Sequence, residues 1–297
     1  MSPPGRTSLD LGLLRKRCRL NPKMLYLFDF FAENRKPKTD NLNKWVGGGP
    51  WDCGRRGGSA LGAGRPSRVQ LFIPCFMDQF FPLAAEKVVE VLGRLGVACR
   101  YPEAQTCCGQ FALTAGDEET GRRLAGHFIK VFQGDDPIVC PSASCTLTVR
   151  RDYPRLARNA AERRALLGVS ARILEFSELV AALGPLAWEP RRDATLVLHR
   201  SCKARELGVL PAAEQVLAQV RDLKLVQVSP YYSCCGFGGF FSVMQPHLAA
   251  VIGTAYLEAA AAAGAQGLVS LDMSCFLHLE PLARQAGLTC LHLAEVL

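Results

Sequence analysis

The chain has 297 residues, of which 49% are hydrophobic and 21% charged, with a net charge of +8. The charge is unevenly placed: residues 1–68 carry 14 Lys and Arg against 5 Asp and Glu, whereas the remainder carries 21 against 22. A body this close to neutral excludes the basic footprint of phosphate-backbone recognition. No uncharged apolar run is long enough to cross a membrane; the nearest, Val251 to Ala263, is short and interrupted by Glu258.

The first 68 residues form a basic leader rich in Gly, Pro and Arg, with Gly47-Gly48-Gly49-Pro50 and Arg55-Arg56-Gly57-Gly58 among its runs. Such composition cannot bury a core, so disorder is expected over most of it, with one short apolar patch from Met24 to Phe31. Three readings of the leader stay open: a targeting or partner-binding arm, inert sequence, and a translation start nearer Val69. Arg6 and Asp10 break up any signal-peptide core. The 13 cysteines are therefore read in a reducing, cytoplasmic setting, where metal or redox chemistry suits them better than disulfides.

Ordered elements begin at Val69. Val69–Ile73 reads as a buried strand ending at Pro74-Cys75, and Pro82–Leu95 as a helix with Pro in its first turn and Gly96 as its stop. A strand over Val97–Tyr101 leads into Cys107-Cys108-Gly109. The helix Asp117–Phe132 and the strand Pro137–Cys140 follow, then a turn at Cys145 and a basic helix through Arg164. The order then repeats: strand Thr195–Leu198 before His199 and Cys202, helix Pro211–Val220, strand Leu223–Val228, Cys234-Cys235-Gly236, helix Pro246–Ala263, strand Gly267–Ser270, and a helix from Cys275. Each half closes alike, Ile173–Val180 mirroring Cys290–Leu297. Strands alternating with helices predict an α/β fold of two tandem, pseudo-equivalent repeats, parallel sheets flanked by helices, in domains 69–190 and 191–297 behind the disordered leader 1–68. In such sheets sites form beyond the C-terminal ends of the strands, where the cysteines fall.

The cysteines repeat in register. Cys75, Cys107 and Cys108 recur 127 residues later as Cys202, Cys234 and Cys235, and Cys145 recurs 130 residues later as Cys275. Each adjacent pair runs into Gly109 or Gly236, which allow a conformation closed to residues with a Cβ and a close approach of backbone N–H groups to sulfur. Thiolate is a soft ligand for zinc, copper(I) or iron–sulfur clusters. Adjacent cysteines span one tetrahedral zinc poorly but can reach neighbouring metals of a cluster, so iron–sulfur ranks first. Vicinal disulfides at Cys107–Cys108 or Cys234–Cys235 are the redox rival. Cys18, Cys53, Cys99 and Cys290 have no repeat partner and read as buried structural cysteines.

These motifs resemble the cysteine-rich CCG domain family, which includes a subunit of heterodisulfide reductase and the iron–sulfur subunits of glycolate oxidase. Ile73-Pro74-Cys75-Phe76-Met77-Asp78, Thr106-Cys107-Cys108-Gly109-Gln110, Pro141-Ser142-Ala143-Ser144-Cys145, Cys234-Cys235-Gly236-Phe237-Gly238-Gly239 and Asp272-Met273-Ser274-Cys275 are most similar to the lactate utilisation protein A branch. The resemblance covers about residues 69–297. It implies an iron–sulfur electron-transfer subunit, with a [4Fe-4S]-type cluster, cubane or non-cubane, in a multi-protein system oxidising L-lactate to pyruvate. It also implies a separate partner with the ferredoxin motif C-x₂-C-x₂-C-x₃-C-P, which this chain lacks. A thiol–disulfide reductase of the heterodisulfide-reductase type and a zinc-stabilised scaffold are the alternatives.

One departure bears on ligation. The heterodisulfide-reductase pattern ends in C-x₂-C, and here Ser142 and Asp272 stand at its first cysteine. Cys140 offers a substitute in the first half; Asp272 is an oxygen ligand, a solvated side chain or a helix cap in the second. The candidate metal ligands are thus Cys75, Cys107, Cys108, Cys145 and Cys140, then Cys202, Cys234, Cys235 and Cys275. Gly109, Gly236 and His199 complete the cofactor-binding set, His199 as proton donor, as hydrogen-bond partner to cluster sulfur or as an ordinary satisfied histidine. Gly238 and Gly239 read as close packing rather than a nucleotide loop. Arg150, Arg151, Arg155, Arg158, Arg163 and Arg164 form either a solvated face or a dock for an acidic partner.

Overall fold

The computed structural model describes residues 66–297 apart from Ser233 and the side chain of Tyr232. The expected leader, up to residue 65, lies outside the described residues, and with it the patch at 24–31, Cys18 and Cys53. The first repeat runs β1 (Arg68–Leu71), α1 (Cys75–Phe80), α2 (Pro82–Arg94), β2 (Ala98–Arg100), α3 (Gln110–Thr114), α4 (Glu118–Val131), β3 (Ile138–Cys140) and α5 (Ala143–Leu147). It closes with α6 (Ala160–Arg172), β4 (Ile173–Glu175) and α7 (Phe176–Ala182). The second runs β5 (Arg191–Leu198), α8 (Cys202–Leu207), α9 (Leu210–Leu217), β6 (Arg221–Val226), α10 (Phe240–Met244) and α11 (Pro246–Ala262). It closes with β7 (Gly267–Ser270), α12 (Met273–Gln285), β8 (Thr289–His292) and α13 (Leu293–Val296).

Each repeat forms a four-stranded parallel sheet, in the orders β2-β1-β3-β4 and β6-β5-β7-β8. The order reverses between β1 and β3, and between β5 and β7, so each sheet has a switch point where the loops part beyond the strand ends. Period-two alternation decides what each sheet face covers. Val69, Leu71 and Val139 join Leu196, Leu198 and Val269 in one core shared by both repeats. The opposite faces serve separate cores, Phe72, Ile138 and Cys140 in the first repeat, Val197 and Leu268 in the second. In the shared core α7 lies on α9 and α13 on α2, a reciprocal pairing of each closing helix with the other repeat's first long helix.

Local chemistry explains most boundaries. Pro82 opens α2, and Asp117 caps α4 by accepting from Thr120 N at 3.0 Å. The expected basic helix after Cys145 is corrected by the structure. Cys145 sits inside α5, and the chain passes through a π turn (Thr148–Asp152) and a 3-10 turn (Tyr153–Leu156), breaking before Asn159 caps α6. Pro154 cannot supply the N–H that a continuous helix needs. Its arginines divide: Arg150 bridges to Glu178 at 2.8 Å, Arg151 pairs with Asp152 and with Glu206, and Arg158 pairs with Glu162, whereas Arg155, Arg163 and Arg164 stand exposed, as a solvated face would.

Candidate metal centres

Both switch points are lined by sulfur. Cys75 opens α1 after β1, Cys107 and Cys108 lie in the loop after β2, Cys140 ends β3, and Cys145 is the third residue of α5. Cys202, the loop of Cys234 and Cys235, and Cys275 hold the equivalent places around β5, β6 and β7. All described cysteines are free thiols, including both vicinal pairs.

In the first site the thiols form a string. Cys75 meets Cys107, Cys107 meets Cys108, Cys108 Sγ lies 3.3 Å from Cys145 Sγ, and Cys145 meets Cys140. Hydrogen bonds from Cys108, then from Cys75, hold Cys107 well below the ordinary thiol range, and Gly109 N adds another at 3.3 Å. Its donors shift in the opposite direction. The bond to Cys107, then burial, pushes Cys75 up; the bonds to Cys107 and Cys145, then burial, push up Cys108. At Cys145 the Cys108 contact favours thiolate, but the Cys140 contact and burial outweigh it. Phe76, Phe111, Phe237 and Met273 line this site, the last two from the second repeat.

The second site is more open. Cys202 and Cys234 are exposed, while Cys235 and Cys275 are buried with their sulfurs 2.8 Å apart. Gly236 N reaches Cys234 Sγ and Phe237 N reaches Cys235 Sγ, each at 3.4 Å. Among the described residues, His199, Cys235 and Cys275 are the trio whose donor atoms all lie within 4.8 Å of one another. His199 is fully buried, which lowers its pKa to about 4 and keeps the imidazole neutral. Its Nδ1 lies 3.3 Å from Ser270 Oγ, and its Nε2 has no partner among the described residues.

Gly109 and Gly236 both adopt positive φ, +83° and +86°. A Cβ on Gly236 would sit 2.2 Å from Ala249 O, whereas one on Gly109 would meet nothing nearer than Leu124 Cδ1 at 3.3 Å. Gly239 is closely packed as expected, its missing Cβ facing Thr114 Oγ1 at 2.7 Å. Asp272 is not solvated. It is fully buried and caps α12, Oδ1 accepting from Ser274 N at 3.0 Å and from Ser144 Oγ of the other repeat at 2.9 Å; Oδ2 has no partner. Ser144 Oγ also meets Ser274 Oγ at 3.2 Å, and Ala143 N donates to Leu271 O at 2.8 Å, so a buried polar seam joins the two sites. Cys99 and Cys290, expected to be buried, lie half-buried within β2 and β8, and desolvation pushes each up to about 12.

Sequence reasoning missed Tyr153, Tyr256, Ser270 and the serine seam. Tyr153, fully buried, donates from its hydroxyl to Cys108 O at 3.0 Å and so steadies the vicinal loop. The signal for Ser270 and Tyr256 was available in the repeat itself, by lining up the two halves of the chain beyond the cysteines.

A repeated parallel α/β unit with cysteines at each switch point defines a class, the cysteine-rich CCG domain. The family described as "CCG: Cysteine-rich domain" matches residues 69–150 and 196–280, and this chain belongs to it. Its relatives include Lactate utilization protein A 2 of Bacillus cereus (strain 03BB102), 33% identical over 235 residues, 77% of this chain and 97% of that protein. Lactate utilization protein A of Macrococcus caseolyticus (strain JCSC5402) is 32% identical over 237 residues, 77% of this chain and 96% of that protein. Among solved structures, a hypothetical protein from Helicobacter pylori shares the fold with a TM-score of 0.55 at 12% identity, over 78% of this chain and 48% of that one. Among the described residues no helix is long and apolar enough to cross a membrane.

Proposed function

We propose that the chain is an iron–sulfur electron-transfer subunit of a multi-protein system that oxidises lactate to pyruvate. The observation that carries this reading is the string of contacting thiols from Cys75 to Cys140 at one switch point, with a second vicinal pair at the other. A single tetrahedral ion needs four donors converging on one point, whereas a string of sulfurs suits several metals side by side. Cys75, Cys107, Cys108, Cys145 and Cys140 would hold one group, and Cys202, Cys234, Cys235 and Cys275 the other. When bound, such a group takes up and gives back single electrons.

The chain's own residues do the rest. Gly109 N, Gly236 N and Phe237 N stabilise negative charge on sulfur. Phenylalanines keep water from the first site, and the exposed Cys202 and Cys234 bring the second within reach of a partner. The names of the relatives support lactate as the system's substrate, and a partner with a ferredoxin motif is the proposed electron-transfer companion.

Iron and acid-labile sulfide measured on anaerobically prepared protein test the reading. Matching iron and sulfide, with C107S and C234S each losing about half the iron, is the expected result. Zinc alone would point to a scaffold, and turnover of a disulfide substrate to a reductase.

A further inference from the structure

Superposing the repeats through their own hydrogen bonds exposes a chemical exchange beside the sulfurs. Phe72 N donates to Val139 O at 2.9 Å, and His199 N donates to Val269 O at 2.8 Å, so Phe72 and His199 occupy the same place after the first strand. Cys140 and Ser270, each following that carbonyl, occupy the same place at the end of the third. Phe72 packs on Phe128 of α4 with ring centroids 5.0 Å apart; His199 packs on Tyr256 of α11 at 5.1 Å, again edge to face. Phe, Phe and Cys in the first repeat have become His, Tyr and Ser in the second. Where the second site lost a thiol at Ser270, it gained an imidazole at His199.

We infer that His199 Nε2 is a nitrogen ligand of the metal group at the second site, filling the role that Cys140 Sγ fills at the first. The inference rests on the iron–sulfur reading above and gives the two sites unlike donor sets, all sulfur against sulfur plus one imidazole. The hydrogen bonds fix the tautomer this requires. Ser270 Oγ accepts from Asp272 N at 3.1 Å and gives its own proton to Asp272 O at 3.3 Å, so His199 donates from Nδ1 to Ser270 Oγ. Nε2 is then a bare lone pair, buried, without a hydrogen-bond partner among the described residues, in the trio it forms with the sulfurs of Cys235 and Cys275. A ligand histidine commonly has its second nitrogen tied down in this way. A neutral imidazole in place of a thiolate leaves the site one negative charge poorer, which raises its reduction potential. The second site, where Cys202 and Cys234 reach the surface, would then be the stronger electron acceptor of the two.

The test uses the full chain loaded anaerobically with 57Fe and sulfide, with and without 15N-histidine. Pulsed EPR should show a nitrogen coupling that changes with the label, and Mössbauer spectra, which read iron in any spin state, should show a distinct doublet for the imidazole-bound iron. Both signals should vanish in H199F while the iron lost on C107S remains. In Y256F both should persist, and in H199C the higher of two reduction potentials should move towards the lower. H199F is expected to fold, because phenylalanine already occupies that place in the first repeat. Full iron without nitrogen coupling or a distinct doublet, or signals unchanged in H199F, overturns the ligand assignment and leaves the iron–sulfur reading standing. Absence of iron overturns both.

Discussion

At the scale of single residues, the two repeats separate roles that a cysteine count merges. Gly109 and Gly236 share a backbone conformation but not their surroundings, and this predicts unequal costs. Gly109→Ala should lose about 1–2 kcal/mol, the ordinary penalty of a left-handed alanine. Gly236→Ala must also push Ala249 O away and should lose more than about 3 kcal/mol. Urea midpoints of the two variants decide it, and equal losses would refute the steric account. The tyrosines give a second contrast. Tyr153→Phe strands the Cys108 carbonyl and should cost about 1–2 kcal/mol. Tyr256→Phe removes a buried hydroxyl with no partner among the described residues, so metal-free protein should be unchanged or slightly stabilised.

At the scale of elements, the caps of the helices that follow β3 and β7 tie the repeats together. Asp272 starts α12 and at the same time accepts from Ser144 across the seam, so its loss removes a cap and strands a buried hydroxyl. Asp272→Ala should cost about 2–4 kcal/mol, against about 1 kcal/mol for Asp117→Ala, whose cap on α4 serves one helix at the surface. Thermal unfolding of the pair measures the difference. Much at this scale was legible in sequence: Pro82, Gly96 and Asp117 announce where helices start and stop. The broken helix after Cys145 was not, because Arg150 and Arg151 look solvated until Glu178 and Glu206 arrive from distant segments.

At the scale of the molecule, two buried capping residues in equivalent places titrate in opposite directions. Glu175 begins α7 and His292 begins α13. Burial raises Glu175 to about 8 and lowers His292 to about 4. Glu175 therefore contributes stability that is whole below its unfolded pKa and is lost as pH climbs through about 8. His292 contributes stability that is whole above its unfolded pKa and is lost as pH falls through about 4. Relative to E175Q, the parent chain should weaken with rising pH, and relative to H292Q with falling pH, each at up to about 1.4 kcal/mol per pH unit inside its window. Denaturation curves across that range check both slopes, and parallel curves for parent and variant would remove the group concerned.

By itself the sequence determined the duplication, the parallel α/β class and the register in which the cysteines recur, because these follow from local periodicity and from residues repeating at a fixed spacing. It could not decide what the sulfurs face. The shared core between the sheets, the seam from Ser144 to Asp272 and the contact of His199 with Ser270 depend on segments far apart in the chain. Only folding brings them within hydrogen-bonding distance, and burial then sets the charge each carries.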